Sequence, residues 1–408
     1  MHIAWLGKKS PFCGNVTYSR EVTNALLDRG YQVSFLHFAQ EAGPLDRNNT
    51  AWSMANGSWG KAIAQTSYTN SLSPASCNEV SLPCHYKSQI YTIPTLKSRT
   101  VLMKSLRRLK PDVVHASLTL SPLDFLLPEI CQELNLPLVA TFHPPFDRKL
   151  RNLTSGTQHL MYQLYAPFLA NYDSTIVFSQ IQRDILVKLG VPQERVAVIP
   201  NGVDAVKYSP GPSGLKSQLK ADRIFVYQGR IAPEKNVEAL LKAWKQCNFD
   251  RGNVLAIVGD GPLAASLQLS YGEEEGIVWL GFVAEEERRI EILRGADVFI
   301  LPSLVEGLSL SLLEAMACGL ACLATDAGAD GEALEEGAGI VLNTQRVRSQ
   351  LQTLLPLFCD HPEFGTLLGE KARQRAMERY TLSQNITELE KLYAEVLQRQ
   401  RVLIRGLA

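Results

Sequence analysis

The stretch "DVFILPSLVEGLSLSLLEAMACGLACLATD", Asp297–Asp326, decides the fold. It opens on "DVFILPS", a short apolar run with the character of a buried strand. "LSLLEAMACG" has helical spacing and stops at a glycine suited to a helix C-terminus. "LACLATD" is a second apolar run. Strand, helix and strand within thirty residues form a crossover unit, and such a unit joins parallel neighbours. Two carboxylates stand inside it. Glu306 lies in the strand-to-helix loop and Glu314 about two turns on, so both fall near one face. They either cap and decorate the helix or hold a polar ligand. Their neighbours, "LSLSLLEAMAC", argue against a fully solvated face.

The same alternation runs outward in both directions. Before it come the strands "RIFVYQGR", "VLAIVGDG" and "IVWLGFV", with helices such as "NVEALLKAWKQC" and "EEERRIEILRGA" between them; after it come the strand "AGIVLN" and helices from about residue 346 onward. The first half repeats the theme. "HIAWLG", "YQVSFLHF", "PDVVHAS", "PLVATFH", "STIVFS" and "VAVIPNG" read as strands, and "VTYSREVTNALLDRG", "TVLMKSLRRLK", "LDFLLPEICQEL" and "RDILVKLG" as helices. Two such series predict two doubly wound α/β domains, because 408 residues exceed one ordinary core. The expected division is 1–200, 201–380 and a terminal helix over 381–408 that packs back on the first domain. Residues 41–95, rich in Ser, Asn, Thr and Pro, read as a long insertion with short strands.

An apolar fraction of 46% and a charged fraction of 20% describe a globular chain, and the formal net charge is zero. The charge is unevenly placed. Residues 1–200 hold 19 Lys+Arg against 13 Asp+Glu, and residues 201–408 hold 22 against 28. No apolar run reaches the ~20 residues of a bilayer span. "MHIAWLGKK" runs straight into a strand without a secretory signal. The eight cysteines form no CxxC pair. Cys318 and Cys322 sit in a small-residue run like buried hydrophobes, which fits a reducing cytoplasm. No nucleic-acid partner is implied.

Several loops after strands carry groups suited to a ligand. "GRIAPEKN" places Arg230 and Lys235 just past a strand, where two cations at a helix start suit a diphosphate. "GDGP", Gly259–Pro262, allows a tight turn and close backbone approach. Gly307, Leu308, Ser309 and Leu310 offer the N–H groups of a loop and first helical turn to an anion. Carboxylates such as Glu306 and Glu314 can accept two hydroxyl hydrogen bonds at once, which suits sugar diols. Neither GxGxxG nor a P-loop occurs, and no Asp-x-Asp pair stands at a strand end.

In that order, "PNGVD", "GRIAPEKN", "GDGP", "IVWLGFV" and the opening stretch extended to Glu332 resemble glycosyltransferase family 4. The resemblance implies a GT-B fold, two Rossmann-like domains facing each other across a cleft, and transfer of a hexose from a nucleotide sugar with retention of configuration. It implies that Arg230 and Lys235 hold the donor diphosphate, that Glu314 binds the ribose and that Glu306 contacts the transferred sugar. Residues 307–310 and Gly259 would line the donor. His143, in "TFH", matches a histidine near the reacting centre, and Gly14 matches part of a glycine pair near the phosphates. The chain departs from the family pattern in four places: Asn15 replaces the second glycine and is expected to contact donor or acceptor directly, "EGLS" stands for "EGFG", the proline after "MACG" is missing, and "GADGE" stands for "GG..E". No cofactor and no tightly bound metal are expected, the two cations taking a metal's place.

The acceptor is read from the first half. "LKSRTVLMKSLRRLK", Leu96–Lys110, carries six basic residues and no acid, Arg107 and Arg108 among them. Arg148, Lys149 and Arg151 precede an aromatic-rich apolar stretch. Basic residues beside large apolar ones suit the surface of a membrane, here its cytoplasmic face. "GKKSPFCGNVTYSREVTNALLDRG" is similar to cyanobacterial glycolipid glycosyltransferases of the same family. The expected donor is a UDP-sugar, UDP-galactose or UDP-glucose, and the expected acceptor a glycolipid such as monogalactosyldiacylglycerol. The same chemistry on a soluble sugar or polysaccharide stands beside it, as does a nucleotide-sugar epimerase or non-catalytic binding protein.

Overall fold

The structure is a computed structural model that describes residues 1–10, 13–40, 77–88, 90–146, 153–250 and 252–407. The chain folds into two compact units. One comprises Met1–Phe142, Phe168–Thr175 and Leu392–Ala408, the other His143–Pro167 and Ile176–Lys391.

The first sheet contains β1 (His2–Leu6), β2 (Gln32–Gln40), β3 (Cys77–Lys87), β4 (Thr92–Pro94), β5 (Val113–Ser117), β6 (Leu138–Thr141), β7 (Ser174–Val177) and β8 (Val196–Val198). Their order is β4-β3-β2-β1-β5-β6-β7-β8. β1 pairs in parallel with both β2 and β5, setting Trp5 opposite Phe35 and His115. Its core is aromatic and hydrogen-bonded. Trp5 is fully buried and stacks on His115 at 4.0 Å. His115 bonds the Thr141 hydroxyl at 2.8 Å and the Tyr393 hydroxyl at 2.6 Å, so a buried imidazole has both nitrogens satisfied. Tyr393 lies on the helix Leu382–Leu407, whose residues from Leu392 onward belong to this unit. In the expected insertion, β3 is an eleven-residue strand that β4 joins antiparallel; residues 41–76 lie outside the described residues.

The second sheet contains β9 (Arg223–Gln228), β10 (Asn253–Val258), β11 (Ile277–Gly281), β12 (Val298–Leu301), β13 (Ala321–Thr325) and β14 (Ile340–Leu342), in the order β11-β10-β9-β12-β13-β14, every pair parallel. β10, β12 and β13 are near-continuous apolar runs because both faces of a parallel sheet are covered. The helix Val237–Cys247 buries Val237, Leu240, Leu241 and Trp244, a spacing that keeps one stripe on the core. The opening stretch folds as its pattern dictates. β12 leads through a loop to the helix Leu310–Cys318, capped by the Ser309 hydroxyl and ended at Gly319 with φ 83°.

Both sheets are doubly wound, and each has a switch point where strand order reverses: between β1 and β5 in the first, between β9 and β12 in the second. Open α/β sheets bind ligands beyond the carboxyl ends of such strands. The aromatic-rich stretch after residue 152 is the helix Leu153–Leu169. Arg148, Lys149 and Arg151 lie outside the described residues.

Candidate active site

The switch point of the second sheet gathers Arg230, Lys235 and Glu306, three of the charged residues singled out in the sequence. Lys235 follows β9 on a short 3-10 turn, Pro233–Lys235, and Glu306 follows β12. Their loops converge because β9 and β12 are neighbours. The Lys235 Nζ donates to Glu306 Oε1 at 2.5 Å, with Glu306 only 8% exposed. Arg230 pairs instead with Glu234, four residues on. The two cations expected to act together are therefore each matched to a different acid.

Glu314 is held at the end of the same strand, β9. Gln228, the last residue of β9, donates from Nε2 to Glu314 Oε2 at 2.8 Å. Tyr208 adds its hydroxyl. Burial raises the Glu314 carboxyl to about 7, opposed by Arg289 and by these two hydrogen bonds. Burial also raises the Tyr208 hydroxyl, with the Glu314 charge adding to it. Neither Gln228 nor Tyr208 was singled out from sequence. Gln228 sits at the carboxyl end of a strand, the one signal that could have found it.

The turn between the two glutamates is held from four directions. The Glu306 carbonyl accepts from Phe146 N at 3.3 Å and the Gly307 carbonyl from Ala329 N at 2.6 Å. The Leu308 carbonyl accepts from Asn201 Nδ2 at 2.8 Å. Ser309 N–H donates to Asp330 Oδ1 at 2.8 Å, so that group, expected to face an anion, already has an acceptor. Asn201 belongs to "PNGVD", which fixes it firmly: a Cβ on Gly202 would stand 2.7 Å from the Leu382 Cα. Gly328 lies at φ 58°, where a Cβ would come within 2.3 Å of the Glu306 carbonyl oxygen. Glycine is required there to bring the two loops together.

The glycines of "GDGP" allow a close backbone approach within the protein. Gly259 has φ 135°, and a Cβ on it would strike the Gly229 carbonyl oxygen, while one on Gly261 would meet the Ile231 carbonyl. The close approach is to the cation loop itself. Ile231 N–H donates to the Asp260 carbonyl at 2.9 Å, and Gly229 N–H to the Val258 carbonyl at 2.9 Å. This loop is the mould for Arg230 and Lys235.

His143 is half-buried with its ring 5.3 Å from that of Phe178. Its carbonyl lies 3.7 Å from the point a Gly307 Cβ would occupy, which puts its backbone beside the Glu306 turn. Glu332, the acid of "GADGE", accepts from the backbone N–H groups of Ile181 and Gln180. In the first unit, Gly14 opens the helix Gly14–Asp28 with nothing within 4 Å of a would-be Cβ. The Asn15 amide donates to the Leu118 carbonyl at 3.1 Å, and its oxygen accepts from the Ser117 hydroxyl at 2.9 Å. Asn15 thus ties the start of this helix to the end of β5. Arg107 pairs with Glu133 at 2.8 Å, and Arg108 is exposed.

Comparison with known proteins bears on this arrangement directly. A family model described as Glycosyltransferase Family 4 matches residues 13–207, and one described as Glycosyl transferases group 1 matches residues 222–360. The chain belongs to glycosyltransferase family 4. It is a glycosyltransferase of GT-B fold. It is 26% identical over 341 residues to the UDP-Gal:alpha-D-GlcNAc-diphosphoundecaprenol alpha-1,3-galactosyltransferase of Escherichia coli, covering 79% of this glycosyltransferase and 83% of that one. It is 26% identical over 314 residues to the sulfoquinovosyl transferase SQD2 of Arabidopsis thaliana, covering 74% and 59%. Among solved structures, Anabaena HepE in complex with UDP-glucose superposes with a TM-score of 0.72 at 17% identity, over 97% of this glycosyltransferase and 100% of HepE. Among the described residues, no helix is long and apolar enough to cross a membrane.

Proposed function

We propose that the protein is a retaining hexosyltransferase that takes its sugar from UDP-galactose or UDP-glucose and adds it to a hydroxyl of a membrane glycolipid such as monogalactosyldiacylglycerol. The observation that carries the reading is the Lys235–Glu306 pair at the switch point, with the Gln228–Glu314 pair beside it. A donor diphosphate brings two negative charges to Arg230 and Lys235. It competes with Glu234 and Glu306 for them, and Glu306 is then released to accept hydroxyls of the donor sugar. Glu314 accepts the ribose hydroxyls. The sugar–phosphate bond breaks through an oxocarbenium-like state, the cations neutralise the departing diphosphate, and that phosphate takes the acceptor's proton. His143, Gly14 and the backbone N–H groups of Gly307, Leu308 and Leu310 complete the donor surface. The cations do the work of a metal, and no cofactor is needed.

UDP is named in the HepE complex and UDP-Gal in the E. coli relative, which supports a UDP-sugar donor. That relative's acceptor is linked to diphosphoundecaprenol, which supports a lipid-borne acceptor. So does the surface of the first unit. The helix Lys97–Leu109 has Arg107 and Arg108 in its last turn and no acid in its first. Next to it in sequence, Tyr86, Ile90, Tyr91, Ile93 and Leu96 are all exposed, Leu96 at 98%. Apolar side chains beside a basic helix suit an anionic bilayer at the cytoplasmic face.

One incubation series tests the reading. Purified protein is given UDP-galactose, UDP-glucose or GDP-mannose, with membrane lipid extract or with soluble sugars, and both released nucleotide and glycosylated lipid are measured. Lipid-dependent release of UDP is expected. Turnover on soluble sugars with none on lipid would assign the chain to soluble-acceptor synthesis instead.

A further inference from the structure

Asp330 has no equivalent in the pattern "GG..E" and no part in the chemistry above, yet it is buried at the centre of the site. Its residue is 0% exposed. Oδ1 accepts the Ser309 N–H at 2.8 Å, and Oδ2 is buried with no hydrogen-bond partner among the described residues. Ser309 stands three residues after Glu306. Of the four bonds that pin this turn, three are received by backbone carbonyls from N–H or amide donors, which do not titrate. Only the fourth depends on a group that can change charge.

We propose that Asp330 is a positioning residue for sugar transfer, fixing the Ser309 end of the turn as an uncharged carboxyl so that Glu306 is presented to the donor sugar. The inference rests on the reading of Glu306 as the sugar-binding carboxylate.

The charge balance supports it. The groups facing Asp330 are Glu306 from the loop after β12, Lys235 from the turn after β9, and the Ser309 N–H at the start of the helix Leu310–Cys318. Two carboxyls share one ammonium, and Lys235 is bonded to Glu306. An ionised Asp330 would be a buried charge with no cation of its own, beside a like charge. Burial holds its carboxyl well above the ordinary range, the Glu306 charge adds to this, and the Ser309 bond and Lys235 oppose it without prevailing. Glu332, two residues on, faces the backbone N–H groups of Ile181 and Gln180 instead. Once Asp330 ionises, it repels Glu306 and competes for Lys235, and both distort the turn.

The test compares the full chain with Asp330→Asn and Asp330→Ala. An asparagine keeps the shape and the acceptor for Ser309 N–H but cannot ionise. With UDP-galactose or UDP-glucose and lipid extract, Asp330→Asn should keep kcat within about threefold at pH 7, whereas Asp330→Ala, which orphans a buried N–H, should lose about tenfold in kcat with little change in donor KM. The wild type should lose kcat on the alkaline side, and Asp330→Asn should not. A second readout needs no turnover. A carboxyl raised in the folded state contributes stability at low pH that is lost as pH rises. The Tm of the wild type should therefore fall relative to Asp330→Asn from pH 4.5 upward. An asparagine variant as damaged as the alanine one, a shared alkaline limb, or a Tm difference flat in pH would each overturn the proposal. Glu306→Gln runs alongside. Full turnover there would break the reading of Glu306 and this inference with it, while an impaired Glu306→Gln with an unaffected Asp330→Ala would break the inference alone.

Discussion

The two sheets reverse strand order in the same way and fill the resulting switch points differently. At the first, between β1 and β5, the linking side chains are neutral: Asn15 reaches the Leu118 carbonyl and the Ser117 hydroxyl. The nearby Lys8 is buried with Nζ donating to the Ser88 and Ile90 carbonyls, and burial lowers it. At the second, between β9 and β12, the linking groups are Lys235 and Glu306, with Asp330 and Glu314 close by. Topology builds a place for a ligand in both units. Residue chemistry decides which place can hold a diphosphate and a sugar, and the second has the matched charges. A partly buried ion pair is weak evidence for stability, so its presence just past a strand end points to function.

The largest expected effect is at the charged switch point. Lys235→Ala should lower kcat by about 10²–10³-fold, the range for removing one preorganised electrostatic contact, measured as UDP released per enzyme. The matching change in the first unit, Asn15→Ala, should lower stability by only about 2 kcal/mol, two net hydrogen bonds of about 1 kcal/mol each, measured by urea unfolding.

A glycine contrast sharpens the same point. Gly259→Ala, at φ 135° with its Cβ driven onto the Gly229 carbonyl, should destabilise by roughly 2–4 kcal/mol in urea unfolding and deform the cation loop. Gly14→Ala meets open space at a helix start and should change stability by less than about 0.5 kcal/mol. Any larger loss of activity in Gly14→Ala would then report on donor contact rather than on folding.

The smallest expected effect is a pH dependence. Glu314 is raised to about 7 in the folded chain, mainly by burial. Its contribution to stability is present below the ordinary glutamate range and is lost as pH rises through 7. The Tm of the wild type should fall relative to Glu314→Gln between pH 5 and about 8, followed by scanning calorimetry. UDP affinity should move the opposite way, tightening as the carboxylate forms to accept ribose hydroxyls, and Glu314→Gln should flatten that trend.

Sequence periodicity sufficed for the parts whose cause is local. The strand–helix–strand of Asp297–Asp326 announced its elements, and the positions of Glu306 in the loop and Glu314 in the helix followed from them. The ordered motifs named the family. What sequence left hidden depends on contacts between distant segments. Asn201 meets Leu308 across 107 positions and Gln228 meets Glu314 across 86. Asp330 reaches Ser309 across only 21, but the chain passes through a helix and a strand between them. The glycines of "GDGP" announced a close approach without saying to what, because their neighbour, the Arg230 loop, is set by the pairing of β9 with β10. The helix Leu153–Leu169 hid behind its apolar composition, which a buried helix and an interfacial stretch share.

The central claim is that Lys235 and Glu306 act as one unit on the donor. A double-mutant cycle of Lys235→Ala and Glu306→Gln, read as kcat/KM for the UDP-sugar, tests it most directly. Two residues of one unit should show strongly non-additive losses, the double variant little worse than the poorer single one. Losses that multiply independently, or either single variant with full turnover, would contradict the account.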